Sequence, residues 1–66
     1  MYLKKGFEVI IKEDGPYKDM NGTVIDPDRY YPFIEVRVIK PSNGNVVDRL
    51  FHVDKLKHFL HDVFNV

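Results

Sequence analysis

Gly15-Pro16-Tyr17-Lys18-Asp19-Met20-Asn21-Gly22-Thr23-Val24 is the stretch on which the reading of this chain turns. Before it, Gly6-Phe7-Glu8-Val9-Ile10-Ile11-Lys12 alternates, with Phe7, Val9 and Ile11 on one face and Glu8, Ile10 and Lys12 on the other. Gly15-Pro16 punctuates a loop that Asn21-Gly22 closes, and Val24-Ile25-Asp26 continues as a second strand. Gly22 stands where the chain turns into that strand, a place that calls for positive φ or a close backbone approach. Gly15, Gly22 and Val24 are therefore assigned to architecture.

Working outward, Asp26-Pro27-Asp28 stops strand two, because proline has no N–H for the ladder. Arg29-Tyr30-Tyr31-Pro32 forms a second loop. A third strand from Phe33 to Lys40 sets Ile34, Val36 and Val38 against Phe33, Glu35, Arg37 and Ile39. Pro41-Ser42-Asn43-Gly44-Asn45 holds an Asn-Gly pair, which suits a type I′ turn with Asn43 and Gly44 at its centre. Ser42 then faces Asn45, Val36 faces Phe51, Ile34 faces Val53, Glu35 faces His52 and Arg37 faces Leu50.

The end of the chain reads two ways. Asp54-Lys55-Leu56 suits a short 3₁₀ turn and Lys57-His58-Phe59 a fifth strand, followed by an apolar extension over 60–66. Alternatively, Leu56, Phe59, Leu60, Val63 and Phe64 follow helical spacing behind Asp54 as N-cap.

Sixty-six residues allow one domain with a modest core, spanning 1–66. With no cysteine there is no disulfide, thiolate ligand or thiol nucleophile, which fits a reducing, cytoplasmic setting. Met1-Tyr2-Leu3-Lys4-Lys5 runs straight into strand pattern, so no signal peptide is expected. No apolar run approaches the ~20 residues of a spanning helix, so no membrane insertion is expected. Ten basic residues balance ten acidic ones. Glu13, Asp14, Asp19, Asp26 and Asp28 occupy loops where a nucleic-acid binder would carry lysines, which weakens the case for phosphate neutralisation.

The strand, glycine-punctuated loop, Gly22 and Val24-Ile25 together resemble a KOW motif, the short element of NusG-type transcription factors and some ribosomal proteins. The resemblance implies an all-β fold: a small five-stranded SH3-like barrel, here with a short C-terminal helix or tail. Asp19 stands where many family members carry a second glycine. Members act in transcription elongation and ribosome structure by contacting polymerase, nucleic acid or protein. The chain also resembles the small SH3-like component of photosystem I, a protein-docking module. That likeness rests on Gly6-Phe7-Glu8-Val9-Ile10-Ile11, Tyr17, Gly22-Thr23-Val24, Tyr31-Pro32 and Asp54-Lys55-Leu56. Two unrelated functions sharing these residues indicate that the residues encode the barrel.

Four tyrosines and five phenylalanines are many for so small a core, so some aromatic exposure is expected. Tyr17 and Tyr30, with Lys18, Arg29 and Arg37, are the expected partner-binding residues, presented by loops 13–21 and 27–33 at one end of the barrel. Tyr31 is expected to cap the barrel with its ring buried. Leu60, Val63 and Phe64 are either a partner or homodimer surface or a helix folded over the barrel's open end. Arg37, Lys40 and Arg49 share their strands with Glu35 and Asp48, which reads as a solvated face. His58, His61 and Asp62 lack the further ligands that a metal site needs, and His52 reads as a cross-strand partner of Glu35. Ser42 is the lone serine and no Gly-rich loop opens a helix, so neither catalysis nor a cofactor is expected. The sequence thus points to a non-catalytic binding module engaging transcription or translation machinery through protein or RNA contacts. A protein-docking accessory component of a larger complex and a small virus-encoded regulator of a host complex are the alternatives.

Overall fold

The computed structural model describes residues 3–40 and 44–59. Asn43, Leu60, Val63 and Phe64, the apolar extension 60–66, and His61 and Asp62 lie outside the described residues. Five strands follow in chain order: β1 (Glu8–Ile11), β2 (Asn21–Asp26), β3 (Phe33–Ile39), β4 (Val46–His52) and β5 (Leu56–His58). A 3₁₀ turn, Val53–Lys55, joins β4 to β5. They form one antiparallel sheet in the order β4-β3-β2-β1-β5: a meander whose last strand returns to pair with the first. Of the two readings of the chain's end, the 3₁₀ turn and fifth strand describe residues 53–58, and a helix starting after Asp54 does not.

The alternation places Val9 and Ile11 of β1, Val24 of β2, Ile34, Val36 and Val38 of β3, Phe51 of β4 and Leu56 of β5 on one side, all buried. Leu3 is the one buried side chain contributed from outside the strands among the described residues. One face of a single sheet thus carries nearly all the buried side chains among the described residues. Phe7, Tyr17, Met20, Val47 and Val53 flank this core.

Gly22 lies between Val9 of β1 and Val38 of β3, in the middle of the sheet. It needs no positive φ. A methyl group there would come 2.4 Å from Val36 Cγ1 and 3.2 Å from the Arg37 carbonyl oxygen. Close approach is therefore what reserves the position for glycine. Positive φ falls elsewhere in the corner, on Gly15 (138°) and on Asp19 (65°), where the aspartate adopts the left-handed conformation. The Asp19 N–H donates to the Ile11 carbonyl at 2.7 Å and the Ile11 N–H to the Met20 carbonyl at 2.9 Å, locking the corner to β1.

The β3–β4 hairpin differs from the expected register by two residues. Ile34 pairs with Phe51, Glu35 with Leu50, Val36 with Arg49, Arg37 with Asp48, Val38 with Val47 and Ile39 with Val46. The Lys40 N–H donates to the Asn45 carbonyl at 2.9 Å, and the Gly44 N–H donates back to the Lys40 carbonyl at 2.8 Å, so Lys40 and Asn45 bracket the connection. Gly44 has a φ of 70°, the left-handed conformation that the turn requires, but it closes a longer loop than the Asn-Gly pair implies. The reason is twofold. Pro41 is a poor strand residue, so the ladder ends at Lys40. The adopted register also sets Arg37 against Asp48 on the outer face, where the expected one set it against Leu50; both registers oppose apolar residues on the inner face. Because the shift is even, no side chain changes face.

Gly22→Ala is expected to cost about 1–3 kcal/mol through overpacking against Val36. Urea denaturation checks this as a lower midpoint at unchanged slope.

Candidate functional site

The loop between β2 and β3 is shaped by Asp26. Its Oδ1 accepts the N–H groups of Asp28 at 3.1 Å and Arg29 at 3.0 Å, an Asx turn that Pro27 accommodates. The Tyr31 N–H then donates to the Asp28 carbonyl at 3.2 Å and the Phe33 N–H to the Tyr30 carbonyl at 2.9 Å. The register shifts between Val24 and Asp26, a bulge that marks the start of this loop. The Tyr31–Pro32 peptide is cis. The outcome is a compact loop that displays rings: Tyr30 is 42% exposed, Tyr31 66% and Phe33 46%. The Arg29 guanidinium lies 5.4 Å from the Tyr30 ring centre, a cation–π contact.

The tyrosines are sorted differently from expectation. Tyr31, expected to be buried, is the most exposed of the described tyrosines, because it lies in the loop ahead of β3, outside the alternation that buries Ile34, Val36 and Val38. Tyr17 is half-buried: its ring meets Phe51 edge-on at 6.1 Å, and Lys40 Nζ lies 5.6 Å from it. Tyr17 is therefore a core-flanking residue, and no ring contact joins it to Tyr30 among the described residues. The expected platform divides accordingly, with Tyr30 and Arg29 on one loop and Tyr17 and Lys18 on another.

Two of the expected cations, Lys18 and Arg37, are already paired, and so is Lys12. Lys18 Nζ meets Asp14 at 3.1 Å and Lys12 Nζ meets Asp19 at 3.2 Å. Arg37 binds Asp48 across the hairpin with two bonds, Nε to Oδ1 at 3.0 Å and Nη2 to Oδ2 at 3.2 Å. Those bonds hold the Asp48 carboxyl below its ordinary value and raise Arg37 above its own. The Arg29 and Asp28 N–H groups likewise lower the Asp26 carboxyl. Asp14, Asp19 and Asp48 thus neutralise Lys18, Lys12 and Arg37.

Histidines also find partners other than those expected. His52 faces Phe33, not Glu35, and their rings meet edge-on at 5.4 Å. Its Nδ1 accepts the Asp54 N–H at 3.1 Å and so caps the 3₁₀ turn. His58 packs on Phe7 at 4.6 Å between ring centres.

On the outer face of the β3–β4 hairpin, cross-strand pairs run Phe33/His52, Glu35/Leu50, Arg37/Asp48 and Ile39/Val46. Leu50, Ile39 and Val46 are exposed there, 47%, 63% and 54% respectively. None of these was singled out from the sequence as a site residue. Their alternation could have revealed Ile39 and Leu50, since each shares a face with charged neighbours. No helix among the described residues is long and apolar enough to cross a membrane.

Comparison of the chain with protein-family models, curated proteins and solved structures finds no match.

Two expectations follow. Tyr17→Ala is expected to cost about 1–3 kcal/mol and Tyr31→Ala no more than about 0.5 kcal/mol, by thermal or urea unfolding. Both Asp26 and Asp48 have folded-state pKa values below their unfolded ones. The stability they contribute is thus complete above about pH 4 and lost as pH falls through the folded values. The stability gap between wild type and Asp48→Asn, measured by urea unfolding at descending pH, is expected to close toward acid.

Proposed function

We propose that this chain is a non-catalytic binding module of the KOW-like, SH3-like barrel type that docks onto transcription or translation machinery through protein contacts. The observation that carries the reading is the exposed aromatic loop. Tyr30, Tyr31 and Phe33 stand out from a rigid turn, with Arg29 stacked on Tyr30. Exposed aromatics on a loop whose backbone is tied by hydrogen bonds offer large contact area at little entropic cost, as docking anchors do.

The barrel part of the reading has its own support. Strand β5 returns to β1 behind a 3₁₀ turn, and one sheet supplies nearly the whole core. At the corner, the family's second glycine is replaced by Asp19, which takes the positive φ that a glycine supplies readily. Gly22 occupies a position with no room for a side chain. Protein docking is favoured over RNA because Lys12, Lys18 and Arg37 are held by carboxylates. Fewer cations are then available to displace counterions from a phosphate backbone.

The test is capture of polymerase or ribosome components from the native cell by wild type and by the double variant Tyr30→Ala, Tyr31→Ala. The variant is expected to fold normally and to lose the partner. Labelled single-stranded RNA titrated at low and high salt separates the RNA arm. Tight binding that falls steeply with salt would overturn protein docking as the main mode.

A further inference from the structure

We propose that two copies of this chain associate through β4, antiparallel and about a two-fold axis at Leu50. Among the described residues, β4 ends the strand order and pairs with β3 alone. The Lys40 N–H donates to the Asn45 carbonyl and the Val53 N–H to the Pro32 carbonyl, which fixes the alternation between them. Odd-numbered residues of β4 face β3. Val46, Asp48, Leu50 and His52 therefore turn their N–H and C=O groups to the open edge. A seven-residue strand with exposed Val46 and Leu50 and an outward row of backbone groups is a template for a further strand.

Side-chain chemistry selects the occupant and the register. Two-fold pairing must set outward-turned residues opposite each other, so the axis falls at one residue of the strand. An axis at Asp48 places the two Asp48 carboxylates face to face. One at Arg49 opposes the two arginines and sets Leu50 against Asp48. One at Val47 sets Val46 against Asp48. An axis at Leu50 stacks the two leucines and brings Asp48 of each copy opposite His52 of the other, twice.

His52 is prepared for that role. Its Nδ1 already faces Asp54, accepting the backbone N–H at 3.1 Å and lying 3.6 Å from the carboxylate, so Nε2 is the nitrogen left to meet a further carboxylate. Asp48 spends one lone pair of each oxygen on Arg37 and keeps further acceptor capacity. Of the axes at Val47, Asp48, Arg49 and Leu50, the one at Leu50 gives outward-turned residues within β4 both an apolar pair and a carboxylate–imidazole pair.

The chain contains no cysteine, so a disulfide scan is unambiguous. Residues opposite each other in a hydrogen-bonded antiparallel pair have Cα atoms ~5.5 Å apart, within the ~4.4–6.8 Å that a disulfide bridges. Under mild oxidation Leu50→Cys is expected to form a covalent dimer faster than Asp48→Cys or Arg49→Cys. In sedimentation equilibrium the wild type is expected to reach the mass of two chains as concentration rises. Leu50→Lys is expected to stay a monomer with unchanged circular dichroism. A wild type that remains monomeric at millimolar concentration overturns the proposal. So does faster cross-linking at Asp48 or Arg49, which would move the axis.

Discussion

The rest of the structure depends on how closely strands β2 and β3 approach at Gly22. Among the described residues one sheet supplies nearly the whole core, with its buried side chains on one face. That brings Val9, Val36 and Val38 around the point where Gly22 passes, and leaves no volume for a side chain there. The corner preceding it, held by Asp19 and Met20 against Ile11, delivers β2 to that position. Architecture thus accounts for most of the segment from Gly15 to Val24. Its basic side chain, Lys18, is half exposed and engaged by Asp14.

The hairpin of β3 and β4 shows which of two local signals prevails. Asn43-Gly44 favours a two-residue turn, whereas Pro41 and the cross-strand partners favour a longer one. The longer connection matches a core pair, Ile34 with Phe51, and an ion pair, Arg37 with Asp48. The ion pair replaces an arginine–leucine opposition, a cross-strand preference that adds to the poor fit of Pro41 in a strand. The same shift moves His52 from Glu35 to Phe33 and leaves Leu50 exposed beside Glu35.

Surface charge follows a similar logic. The chain's net neutrality is legible from composition, but its local form is not. Asp14, Asp19 and Asp48 do not merely dilute the basic residues; they bind Lys18, Lys12 and Arg37 individually. Exposed beside these pairs on the described surface are Tyr30, Tyr31, Phe33, Ile39, Val46 and Leu50.

The sequence by itself determined the strands, their inward and outward faces, the two loops and the need for glycine at 22. These follow from period-two alternation and from residues with unusual backbone requirements, both of which are local properties. Only the tertiary structure decided the hairpin register, the burial of Tyr17 against Phe51, the exposure of Tyr31 and the contribution of Leu3 to the core. Each of these depends on which distant side chain arrives opposite, and alternation alone is blind to a shift of two residues because it preserves every face.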